Sequence, residues 1–167
     1  MTIGKCNCGE VVFEIACELK DVYFCHCSIC RGSTGANGIA VVVIDNNNFH
    51  WVQGEASIKT WTKPNHDWQT SFCTQCGSSL PGKNDDARMY IPAGLLPDDK
   101  NNDSGTNTGT NTGTGTSNLK VTHHIWVDSK ASWDEIAGDG IQHPKAFGSH
   151  VEADENMNNT KNHKDEP

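Results

Sequence analysis

The sequence predicts a mainly β domain of antiparallel sheets, stapled by metal. Three observations carry this expectation. Short runs rich in β-branched and aromatic residues recur along the chain, punctuated by Gly, Asn, Asp and Pro. Only one segment carries a good helix signal. The 8 cysteines fall mostly in clusters with metal-ligand spacing.

Seven runs read as strands: residues 10–16 (EVVFEIA), 38–44 (GIAVVVI), 49–52 (FHWV), 56–62 (ASIKTWT), 67–72 (DWQTSF), 88–91 (RMYI) and 119–127 (LKVTHHIWV). DNNN at 45–48 and GE at 54–55 read as turns. Ser132 followed by Glu135 is a capping-box pattern, which predicts a short C-terminal helical turn around SWDEIA.

The 167 residues suit one domain, expected over 1–149. Within it, residues 98–118 (DDKNNDSGTNTGTNTGTGTSN) repeat Asn, Thr and Gly with almost nothing to bury, so a disordered low-complexity insert is expected. Such an insert lengthens a surface loop at little cost. Residues 150–167 are polar and read as a disordered tail. The core left is small, and small β domains often need a staple.

The formal net charge is -8, which argues against nucleic acid or an anionic membrane as partner, because both need clustered Lys and Arg. No run is long and apolar enough to span a bilayer. The first 15 residues lack the charged start and apolar middle of a signal peptide. The expectation is a soluble, cytoplasmic protein, where clustered thiols bind metal more often than they form disulfides. Zinc is the default for such sites.

Cys73-x-x-Cys76-Gly77 is a zinc-knuckle pattern, and Cys6-x-Cys8-Gly9 looks like its matching half. Together they predict a closed four-sulfur site tying the N-terminus to mid-chain. A redox role for Cys73 and Cys76 would need a thioredoxin-like context that the sequence does not offer. Cys25, Cys27 and Cys30 form a trio with three readings. It is a second closed site completed by Cys17 or a distant His, an open zinc site whose fourth position takes water or a thiol, or a set of metal-free thiols.

CNCGEVVFEI, CHCSICRGSTGA, FHWVQGE, TSFCTQCGSSLPG, YIPAGLL and HIWVDSKASW follow one another in an order that resembles the glutathione-dependent formaldehyde-activating enzyme family, which also includes centromere protein V. The resemblance runs from about Lys5 to Phe147 and includes seven cysteines in register. It implies a β-tent fold related to zinc ribbons and two zinc ions per chain. A structural zinc falls to Cys6, Cys8, Cys73 and Cys76, and a catalytic zinc with an open position to Cys25, Cys27 and Cys30. Cys17 lies outside the implied ligand set. The activity implied is that of a carbon–sulfur lyase, an S-(hydroxymethyl)glutathione synthase, with glutathione as the small-thiol partner.

In the loop after the trio, Ser28, Ser33, Thr34 and backbone N–H groups are candidate donors to a developing alkoxide. Arg31 is a candidate partner for a glutathione carboxylate. None of the 8 histidines has ligand spacing. His26 is expected to point away from the metal, one of His123 and His124 toward it, and His143 into solvent. Most of the 5 tryptophans are expected in the core or on a sheet face, and one is a candidate wall of a substrate pocket. Alternative readings are a non-enzymatic zinc-stapled binding module, a glutathione carrier, or a thiol redox protein. Oligomeric state is left open.

Overall fold

The computed structural model describes residues 1–97, 116 and 118–148. The expected insert at 98–118, apart from residues 116 and 118, and the expected tail at 150–167 lie outside the described residues. Among the described residues the chain forms three sheets. The first has the order β1 (Thr2–Lys5), β2 (Val12–Ile15), β5 (Phe49–Gln53). The second has the order β12 (Ile141–Gln142), β11 (Lys120–Ile125), β3 (Asp21–Cys25), β4 (Ile39–Asp45), β10 (Arg88–Pro92), β9 (Gly82–Lys83). The third has the order β6 (Ile58–Thr62), β7 (Gln69–Cys73), β8 (Ser79–Leu80).

Alternation decides which faces are buried. In β2, Phe13 and Ile15 point inward while Val12 and Glu14 do not. They meet Leu19, Val22, Val42, Ile44 and Ile91, so the main core lies between the first sheet and the six-stranded sheet. Phe49 and Trp51 of β5 pack on Phe13 at ring-centroid distances of 5.6 and 6.0 Å. Each such apolar side chain contributes about 1.5–3 kcal/mol when fully buried. A smaller cluster of Cys6, Val11, Cys73 and Leu80 joins the first and third sheets, so thiols stand where a larger domain would place Leu or Ile.

Every pairing is antiparallel except two: β11 runs parallel to β3 and to β12. The parallel β3–β11 pairing brings Ile125 beside Cys25, and β4 brings Ile39 to its other side. Thus the end of β3 is a central position of the sheet.

All seven expected strand segments contain strands. The helix signal was misplaced. Residues 132–135 form a turn rather than a helix, with the Asp134 N–H donating to the Ala131 carbonyl at 3.0 Å. So short a segment does not offset the cost of helix nucleation, and its Asp134 side chain is engaged elsewhere. The helix lies instead at α1 (Ser28–Thr34), inside the cysteine motif. Cys27 caps it, its sulfur accepting from the Cys30 N–H at 3.4 Å, and Gly35 ends it in the left-handed region.

Candidate metal and thiol site

The first sulfur group is built by two similar turns. Cys6 follows β1, and the Gly9 N–H donates to the Cys6 carbonyl at 3.0 Å. Cys73 ends β7, and the Gly77 N–H donates to the Cys73 carbonyl at 2.8 Å. Gly9 and Gly77 both have positive φ, 77° and 74°, which a residue with a Cβ resists. The turns face each other, so the sulfurs of Cys6, Cys8, Cys73 and Cys76 all lie within 4.8 Å of one another. Cys6 and Cys8 sulfurs are 3.5 Å apart, and Cys8 and Cys73 sulfurs 3.9 Å. Four sulfurs bonded tetrahedrally to zinc stand about 3.8 Å apart, given bonds of about 2.3 Å. The donor set therefore fits zinc. The Val11 N–H donates to the Cys6 sulfur at 3.3 Å, and the Ser78 side chain and backbone hold Cys76 down to about 6, both of which favour thiolates.

The second group is the trio. Cys25 is the buried last residue of β3, Cys27 caps α1, and Cys30 lies in its first turn. One helical turn after a strand end brings the three sulfurs within 4.8 Å of one another. Hydrogen bonds from the Cys25 and Cys30 thiols hold Cys27 down to about 2, while the bond to Cys27 pushes Cys25 up to about 11. Cys30 is also raised, by its contacts with Cys25 and Cys27. Mutual hydrogen bonding among the three sulfurs favours one of them giving up its proton, and three convergent sulfurs suit a soft metal.

Cys25 and Cys30 line a cleft of about 540 Å³. Ser33, Ile39, Val41 and Ile125 complete the wall on their side. Lys83 and Tyr90, from neighbouring strands of the same sheet, and Trp68, Thr70 and Ser79, from the third sheet and the turn before it, also line it, and His66, Asp67, Asp85 and Asp86 extend the lining. None of Cys6, Cys8, Cys73 and Cys76 lines this cleft. Lys83 Nζ sits 2.7 Å from Asp86 Oδ1 at the exposed rim. Burial pushes the Tyr90 phenol up, so its O–H remains a donor at neutral pH.

Of the loop residues singled out in the sequence, Ser33 lines the cleft and Arg31 and Thr34 do not. Arg31 Nη2 donates to the Ser129 carbonyl at 3.2 Å. The Thr34 hydroxyl is within 3.0 Å of the Cys30 and Gly38 carbonyls, where it secures the end of α1. Ser28 is exposed at the helix start. Cys17 belongs to neither sulfur group; it packs against the main core, and burial raises its thiol.

His26 points away from the sulfurs, as expected. Its Nδ1 lies 2.8 Å from Asp134 Oδ2 and its Nε2 2.9 Å from His124 Nδ1. His143, expected in solvent, is buried, with its Nε2 3.1 Å from His123 Nδ1 and its N–H bonded to the His124 carbonyl. Strand β12 draws it in by pairing with β11. Of the tryptophans, Trp51 supports the core and Trp68 walls the cleft, but Trp61, Trp126 and Trp133 are exposed. No local sequence pattern marks Trp68, Lys83, Tyr90 or Asp134, which come to the site from distant segments. Among the described residues, no helix is long and apolar enough to cross a membrane.

A Halomonas elongata protein named "Putative glutathione-dependent formaldehyde-activating enzyme" is 31% identical over 85 residues, 46% of this chain. The match spans about half of that relative's length, 52%. A crystal structure of a Rhodobacter sphaeroides protein superposes with a TM-score of 0.47 at 21% identity, covering 56% of this chain and 86% of that one. The family described as glutathione-dependent formaldehyde-activating enzyme matches residues 1–129, a span that ends before Phe147 and contains both sulfur groups. The chain belongs to that family.

Proposed function

We propose that this chain is a zinc-dependent carbon–sulfur lyase-type enzyme that joins glutathione to formaldehyde, or releases it, at the Cys25–Cys27–Cys30 centre. One observation carries the reading: Cys25 and Cys30 open on a cleft, whereas the four-sulfur group does not line it. A structural zinc site is closed and a catalytic one keeps a position free. Zinc held by the trio would lower the pKa of a thiol that reaches it.

The chain's own residues supply the rest. The apolar wall of Ile39, Val41, Ile125 and Trp68 keeps water from the thiol sulfur. Lys83 at the rim attracts a glutathione carboxylate. The thiol gives up its proton, its sulfur forms the bond to the aldehyde carbon, and the carbonyl oxygen takes up a proton. Ser33 and Tyr90 are the hydroxyl donors placed to stabilise that oxygen as it gains charge. Cys6, Cys8, Cys73 and Cys76 would hold the second zinc, which there would fasten the first and third sheets.

The test is 13C exchange spectroscopy on labelled formaldehyde with glutathione. The wild-type chain is expected to speed exchange into the S-hydroxymethyl adduct above the buffer rate, and Cys30→Ser to return it to that rate. Exchange at the buffer rate with fully metallated protein would leave a zinc-stapled binding module or a glutathione carrier as the better reading.

A further inference from the structure

We infer that Asp134 is a positioning residue for the three-sulfur centre, clamping both flanks of the trio from outside the family-matched segment. The inference rests on the reading above that the trio holds zinc.

The geometry is two-sided. Asp134 Oδ2 lies 2.8 Å from Nδ1 of His26, the residue between Cys25 and Cys27. Asp134 Oδ1 accepts from Asn37 Nδ2 at 2.8 Å, and Asn37 stands just past the end of α1, the helix that carries Cys30. One carboxylate therefore ties the segment before the helix to the segment after it. A carboxylate only accepts, so His26 Nδ1 carries the proton toward Asp134. The far side of the His26 ring meets His124 Nδ1 at 2.9 Å, and the His26 N–H donates to the Ile125 carbonyl at 3.0 Å. Ring and backbone of the residue between two sulfurs are both fixed.

Asp134 is itself held. Its N–H donates to the Ala131 carbonyl at 3.0 Å, and its own carbonyl accepts from Lys130 Nζ at 2.8 Å. Asp134 is 5% exposed and His26 2%. Burying a carboxylate and an imidazole is costly, and an apolar filling of the same volume is often at least as stable. Losing a residue that orients metal ligands typically costs about 10–100-fold in metal affinity; Asp134 orients them through His26 and Asn37, which flank the ligands. Neither His26 nor Asn37 adjoins Cys6, Cys8, Cys73 or Cys76 in sequence, so the effect of Asp134 should be confined to the trio.

The two sulfur groups make the test internally controlled. Zinc transfer to a chromophoric chelator is followed in the full chain, and cobalt(II) thiolate spectra are recorded in parallel. Asp134→Ala is expected to loosen one metal about 10–100-fold, to alter the cobalt bands of that site, and to leave the other metal unchanged. Asp134→Asn keeps the shape and one acceptor, and should fall between. Asn37→Ala leaves the His26 bond in place and guards against a misfolded Asp134→Ala chain; it should give a smaller loss at the same site. Equal loosening of both metals, or unchanged release from the trio in Asp134→Ala and Asn37→Ala, would overturn the inference. A wild-type chain that retains only the four-sulfur metal would overturn both it and the reading beneath it.

Discussion

The sulfur of Cys8 lies 3.9 Å from the sulfur of Cys73, across 65 residues of sequence. Of the pair, Cys73 is buried, in one small cluster with Cys6, Val11 and Leu80. Metal at this point would replace apolar core that a small β domain lacks. Cys73→Ser should therefore destabilise the fold by about 3 kcal/mol or more, since it breaks a metal site and leaves a buried polar group. Thermal melting should show a midpoint roughly 10 °C lower, at a few degrees per kcal/mol. A melting point within a degree or two of wild type would show that the four sulfurs do not hold the sheets.

Cys30→Ser should behave differently. Cys30 is half-buried at the start of a seven-residue helix and belongs to neither core cluster. The variant should keep its circular dichroism and lose about 1 kcal/mol or less. Elemental analysis should give one zinc per chain in place of two, and thiol-dependent exchange should vanish. Loss of both metals would mean that the two sites are not independent.

Tyr90 offers a titration signal inside the cleft. Burial raises its phenol above the ordinary value of 10.0. A raised folded value means the proton is held more tightly in the native state. The corresponding stability is fully present below pH 10 and is lost as pH rises through the folded value. Absorbance at alkaline pH should show a late-titrating phenol that Tyr90→Phe removes. The same variant should lose less stability than wild type as pH rises above 10. A phenol at position 90 that titrates at its ordinary value would refute the burial argument.

Two further lining residues of the cleft, Trp68 and Lys83, should govern substrate affinity. Trp68→Ala and Lys83→Ala are expected to raise KM for glutathione, with kcat little changed if their contacts are alike in ground and transition states. The Lys83 effect should be modest, about two- to tenfold, and should shrink with salt, because its ammonium is exposed and already beside Asp86. Ser33→Ala should instead lower kcat. Steady-state kinetics at two ionic strengths separate these outcomes, and a Lys83→Ala loss indifferent to salt would speak against charge attraction.

The parts of the site written in local spacing were legible in the sequence. Cys6, Cys8, Cys73 and Cys76, and the Cys25–Cys27–Cys30 trio, are separated by one or two residues within each motif, and both groups assemble in the fold. Seven strands were legible as short β-branched or aromatic runs; β1, β3, β8, β9 and β12 were not expected, being only two to five residues long. Helix α1 was not, because a cysteine caps it and it buries no side chain. The parallel pairing of β11 with β3 was not, because it joins segments about a hundred residues apart and leaves no local pattern. Asp134 and His26 are 108 residues apart, and their bond drew Asp134 out of the expected helical turn. Trp68, Lys83 and Tyr90 are likewise set against Cys25 and Cys30 by tertiary folding alone.

The most direct test of the central claim is a titration of the cobalt(II)-substituted chain with glutathione, followed by thiolate-to-metal absorption. An open three-sulfur centre predicts a saturable change in one of two cobalt sites, absent in Cys30→Ser. Two cobalt ions whose spectra ignore millimolar glutathione would contradict it.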